Sequence, residues 1–178
     1  MSLDGVKLAP YNPLWAEIFE HNKARIEEIL KGQNVRIEHI GSTSIPTVRV
    51  AKPVIDIGVV ANREQAPLIC HKISSQGLYS SYDGIPSLLP DGYHIEVLDG
   101  PLLNATLVNY IHMDSKIDEK LRFKRFLIEH PELAEEYATI KEKSVIKCAG
   151  EIKCYSKEKK NFITDINKMA LDLYGEKP

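Results

Sequence analysis

Gly41-Ser42-Thr43-Ser44 follows directly on an apolar run, and Asp56 stands in the middle of the β-branched stretch 52–60. A glycine closing a strand, with small hydroxyl residues after it, permits a tight turn in which phosphate oxygens approach backbone N–H groups without meeting a Cβ. Ser42, Thr43 and Ser44 would add hydroxyl donors. The turn lacks the Gly-Lys-Ser/Thr of a Walker A loop. The alternative is a plain strand-to-helix turn with Ser42 or Ser44 as its cap.

Asp56 sharpens this reading. In a strand it shares a face with Val54, Gly58 and Val60, while Ile55, Ile57 and Val59 form the other face. A carboxylate inside such a run is costly unless paired, hydrogen-bonded or metal-bound. It implies either a divalent metal or a basic partner such as Arg49 or Lys52. A third stretch, 93–98, alternates so that His94 and Glu96 share a face. Beside the Asp56 strand, Glu96 would complete a two-carboxylate site for Mg²⁺ or Mn²⁺, with substrate phosphates filling the shell. The alternative is an edge strand with both residues in water.

In such a site Lys52, Lys141 or Lys159 would neutralise a leaving pyrophosphate, and His94 or Glu38 would take a proton. His39 competes for that role, or is a buried histidine satisfied by the backbone. Tyr155 and Lys159 lie four apart on one helical face, the spacing of a surface pair on an amphipathic helix.

Elements that position these residues can be read from periodicity. Segment 11–32 reads as a helix with Asn12 as cap, Pro13 at its first position, and Trp15, Ile18, Phe19, Ile26, Ile29 and Leu30 on the core side. Strands are expected at 34–40, 52–60 and 93–98, with a helix at 63–77 between the second and third. A short strand is expected at 78–82 and a loop at 83–92; 104–113 reads as a strand or a helix start. From Asp114 the period is helical: 114–130, 131–148 and 151–174. The order gives an α+β (α/β) fold in one domain, with a mixed-sheet core at 1–113 and C-terminal helices at 114–178.

The chain has 178 residues, 43% apolar and 27% charged, which suits one soluble domain. No apolar run approaches a membrane span, and the first residues lack a signal-peptide pattern. Three cysteines without a Cys-x-x-Cys pair predict free thiols and a cytoplasmic setting. A net charge of −2 argues against a dedicated nucleic-acid binder, despite the C-terminal lysines.

Taken together, "LAPYNPLWAEIFE", "IEHIGSTSIP", "AKPVIDIGV", "YHIEV", "LRFKRFLIEHPELAEEYATIK" and "YSKEKKNFI" resemble the GrpB family, from about residue 6 to 166. Gly-Ser after a strand, Asp on the next strand and an acid on a later one resemble the wider nucleotidyltransferase superfamily. The resemblance implies a nucleotidyltransferase-like mixed sheet with flanking helices, cytoplasmic location, a nucleoside triphosphate or coenzyme-like ligand, and Tyr155 and Lys159 as contacts to that ligand. GrpB-like domains also occur fused to dephospho-coenzyme A kinase. Transfer of a nucleotidyl group to an acceptor is one implied activity; the other is a nucleotide- or coenzyme-binding module with a degenerate site. Two departures bear on that choice. Gly58 stands where superfamily enzymes place a second acid, and Thr47 stands where GrpB-like chains often carry glycine.

Overall fold

The computed structural model describes residues 5–61, 64–75, 87–89, 92–97, 106–112, 114–176 and 178. The strand expected at 78–82 lies outside them. The chain runs β1 (Ala9–Pro10), α1 (Leu14–Ile29), β2 (Arg36–Ile40), a 3-10 turn (Ser42–Ser44), β3 (Val50–Ala51), β4 (Val54–Val60), α2 (Ala66–Ser74), β5 (Ser87–Leu89), β6 (Gly92–Val97), β7 (Thr106–His112), α3 (Asp114–Glu129), α4 (Pro131–Lys147), α5 (Ile152–Glu158) and α6 (Lys160–Tyr174).

Five strands form one mixed sheet in the order β2-β4-β7-β6-β5. Among the described strands of this sheet, β4 and β7 run parallel and the other pairs are antiparallel. β1 and β3 form a separate two-stranded ribbon. The architecture is α+β, as expected. Within the segment 104–113, Thr106–His112 form a strand, and the expected loop at 83–92 contains the short strand β5.

Alternation along β4 decides which helix covers which face. Ile55, Ile57 and Val59 pack with Trp15, Ile18, Phe19 and Ile26 of α1 and Ile69 and Ile73 of α2. Each such side chain contributes about 1.5–3 kcal/mol on burial. Asn12 Oδ1 accepts the Leu14 N–H at 3.0 Å, so it caps α1 as expected. The opposite face carries Asp56, Gly58 and Val60, and α3 lies over it through Ile117 and Leu121.

A second core joins the C-terminal helices to the segment after the 3-10 turn. Ile45 and Val48 pack among Phe126, Leu127, Ala134, Tyr137, Ala138, Ile166 and Ala170. Thr47 donates to the Leu127 carbonyl at 2.8 Å, so the departure from glycine ties this segment to α3. Arg49 forms ion pairs with Glu135 and Glu142 of α4, at 2.8 and 2.5 Å. Residues 45–50 therefore bridge the sheet and the helices.

Two expectations fail near the C-terminus. The stretch 151–174 is two helices, broken at Lys159. Cys148 and Cys154 form a disulfide with Cα atoms 5.6 Å apart, where free thiols were expected. The reason is the turn between α4 and α5: Ala149 and Gly150 adopt positive φ, which folds α5 back and brings the two cysteines within bonding reach. Among the described residues, no helix is long and apolar enough to cross a membrane.

Candidate functional site

Gly41 has φ 73 and ψ 179, a region open almost only to glycine. A Cβ on it would lie 1.9 Å from Asp56 Oδ2. The register explains this closeness: Ile40, the residue before Gly41, pairs with Asp56 across β2 and β4. The glycine thus sets its backbone directly on the carboxylate.

The hydroxyls of the turn are divided. Thr43 donates to the Val54 carbonyl at 2.9 Å and Ser44 donates to the Gly41 carbonyl at 2.7 Å. Both residues are buried and hold the turn together. Ser42 is half-buried, and among the described residues its hydroxyl alone of the three has no such bond. The expectation of three hydroxyl donors reduces to Ser42 and the turn backbone.

Three lysines lie within electrostatic reach of Asp56. Lys141 of α4 is 1% exposed, donates to the Val50 carbonyl at 3.0 Å, and lies 4.7 Å from the Tyr137 ring centre. Burial pushes its ammonium well below the usual lysine range; Lys159 and Lys52 push the same way, and Asp56 opposes them. Lys159 sits over the Tyr155 ring at 4.1 Å. Its ammonium is pushed down to about 8, chiefly by burial and then by Lys52, again against Asp56. These mutual effects put Lys52, Lys141, Lys159 and Asp56 within electrostatic reach of one another. The Tyr155 hydroxyl is buried with no hydrogen-bond partner among the described residues, and burial pushes the phenol above its ordinary value. It remains a donor.

Arg49 is not the partner of Asp56, because Glu135 and Glu142 engage its guanidinium. Glu96 is not on the neighbouring strand either. β7 intervenes, with Val108 paired to Asp56 on one side and to Glu96 on the other. Glu96 keeps the row of Asp56 at two strand spacings, about 10 Å between backbones. His94 falls in the row of Gly58, through Tyr110. The Gly58 position is filled: a Cβ there would lie 2.5 Å from Ile117 Cδ1, and Ile117 is fully buried. Among the described residues, no group of three or more His, Cys, Asp or Glu could hold a metal.

His39 belongs to the other face of the sheet. It stacks on Phe19 with ring centres 4.7 Å apart. The Thr43 hydroxyl hydrogen goes to Val54, so His39 Nε2 supplies the hydrogen in the 3.1 Å contact between them. Burial, and secondarily Lys124, pushes the imidazole down to about 3. A neutral histidine behind the sheet cannot serve as base at Asp56. It lines a cavity of about 290 Å³ with Phe19, Glu38 and Lys124. Glu38 pairs in register with Gly58 and lies 3.8 Å from Arg36.

Sequence reasoning missed Ile117 and Tyr137. It named Lys141 among the lysines that would neutralise a pyrophosphate, but not as a buried one. The signal was present: Ala134, Tyr137, Ala138 and Lys141 form one helical stripe, and a lysine in a core stripe is the anomaly.

The chain is similar to known proteins in sequence and in fold. The chain is 28% identical over 166 residues to a UPF0157 protein of Halalkalibacterium halodurans, covering 93% of this chain and 82% of that one. It is 26% identical over 167 residues to the glutamate-rich protein GrpB of Alkalihalophilus pseudofirmus, covering 90% and 93%. The crystal structure of the conserved protein GrpB from Enterococcus faecalis superposes with a TM-score of 0.75 at 29% identity, over 94% of this chain and 99% of that one. The family description "GrpB protein" matches residues 5–169, and the chain belongs to the GrpB family.

Proposed function

We propose that the seam between sheet and C-terminal helices binds the phosphate chain of a nucleoside triphosphate or a coenzyme-like molecule. One observation carries this reading. A fully buried lysine, Lys141, joins Lys52 and Lys159 around the Gly41–Asp56 contact. Cations gathered beside an open-backbone turn, one of them buried and two half-buried, form an anion site. Ser42 and the orphaned Tyr155 hydroxyl supply further donors.

Transfer chemistry needs more. A resident two-metal centre does not fit these residues, since Ile117 fills the place of a second acid and Val108 stands between Asp56 and Glu96 in their shared row. The reading is therefore a binding module, in the cytoplasm, with neither membrane nor nucleic acid as partner. A second reading rests on Glu96 keeping Asp56's row: one Mg²⁺ or Mn²⁺ arriving with the nucleotide could serve nucleotidyl transfer. Release of pyrophosphate on mixing with each triphosphate separates the two.

The test is a thermal-shift panel with ATP, GTP, CTP, UTP and dephospho-coenzyme A, each with and without Mg²⁺. Ligand at about 100 times its dissociation constant adds roughly 2.7 kcal/mol. In a domain of this size that raises the midpoint by about 5–10 °C. A shift that disappears in Lys159→Met supports the site. No shift with any compound contradicts it.

A further inference from the structure

We infer that Lys52, Lys141 and Lys159 take the place of metal ions in this seam, so that its ligand is a metal-free nucleoside or coenzyme polyphosphate. This rests on the reading of the seam as a nucleotide site and adds how the charge of the phosphates is met.

The donor set points this way. A two-metal centre needs clustered carboxylates, and the positions nearest Asp56 on its face are Val54 and Gly58 along the strand and Ile40 and Val108 across it, none of them acidic. The Gly58 position cannot regain an acid without moving the buried Ile117. Cations gather here instead. Among the described residues, Lys52, Lys141 and Lys159 lie within electrostatic reach of the single carboxylate of Asp56, and burial lowers the proton affinity of Lys141 and Lys159. Such a cluster is short of negative charge. A triphosphate brings it, together with acceptors for Lys159, Ser42 and the buried Tyr155 hydroxyl, which has none among the described residues.

Asp56 then has an unusual part. In the free protein it offsets the lysines; against a bare polyphosphate it repels. Its removal should therefore leave binding intact or strengthen it. A carboxylate that holds a metal would behave in the opposite way.

The experiment is calorimetric titration of ATP in excess EDTA and in excess Mg²⁺, on wild type, Asp56→Asn, Lys141→Met and Lys159→Met. Inorganic tripolyphosphate serves as a second probe for the phosphate chain alone. Expected is binding in EDTA within about threefold of that in Mg²⁺, and a loss of about tenfold or more in each lysine variant. Asp56→Asn should bind at least as tightly as wild type in EDTA. Lys159 is half-buried, so its variant keeps the test sound should Lys141→Met fail to fold. Binding only with Mg²⁺, abolished by Asp56→Asn, overturns the inference and leaves the nucleotide site standing. Binding in neither condition overturns both.

Discussion

Gly41→Ala is the perturbation whose cost the structure defines most closely. The new Cβ would stand 1.9 Å from Asp56 Oδ2, far inside contact distance, and on a backbone with φ 73 and ψ 179. The backbone alone costs about 1–3 kcal/mol for a residue with a side chain. Displacing the carboxylate from its partners adds about 1–3 kcal/mol. Gly175 is the control for the first part: it has φ 73 and ψ −161 with nothing within 4 Å of its added Cβ. Denaturant unfolding of Gly41→Ala, Gly175→Ala, Asp56→Ala and the Gly41→Ala/Asp56→Ala pair separates the contributions. Gly41→Ala should cost about 2–6 kcal/mol, and in the Asp56→Ala background the second part should vanish, leaving a coupling of about 1–3 kcal/mol. Additivity of the two substitutions within about 0.5 kcal/mol would refute the close contact on which the site is built.

Four further outcomes follow from the same structure. Gly58→Asp should destabilise by about 1–3 kcal/mol through overpacking against Ile117, read by chemical denaturation, and should not create metal dependence in nucleotide titrations. His39 is held down to about 3 in the folded state, against an ordinary value near 6.5, so the unfolded chain binds the proton first. Stability should therefore fall as pH drops from about 6.5 toward 3, and His39→Gln should flatten that slope in pH-dependent unfolding. Lys159 sits at about 8 among Lys52, Lys141, Asp56 and the Tyr155 ring, so the free protein loses this charge as pH rises through 8; ATP affinity should fall from pH 7 to 9 with proton uptake on binding, measured by calorimetry in two buffers. Thiol titration of unfolded, unreduced protein should find one free thiol of the three cysteines, and Cys148→Ser/Cys154→Ser should lower stability by about 2 kcal/mol for so short a loop.

Local periodicity carried much of this fold. The apolar stripe of α1 fixed Trp15 and Phe19 as core, and alternation in β4 put Asp56 on one face and Ile57 on the other. The closing glycine and the carboxylate were legible as a pair because strand-to-strand pairing of β2 and β4 needs only a short connection. Strand order was not legible. Nothing local tells that β7 inserts between β4 and β6, so Glu96 was expected beside Asp56 and stands two strands away. The disulfide depends on the positive-φ turn at Ala149 and Gly150, which spacing alone does not disclose. Lys141 was hidden by its lysine-rich surroundings, although its place in the Ala134–Tyr137–Ala138 stripe marked it as buried. His39 looked like a base until the pairing with Ile57 placed it behind the sheet.

The central claim is that the Gly41–Asp56 seam, with its three lysines, is the polyphosphate site. A crystal structure of the protein grown with ATP tests it most directly. The account predicts the triphosphate against the Gly41–Ser42 backbone, with Lys52, Lys141 and Lys159 on its oxygens. ATP seated instead in the cavity beside His39 and Lys124, or crystals at saturating ATP whose seam is empty of phosphate, would contradict it.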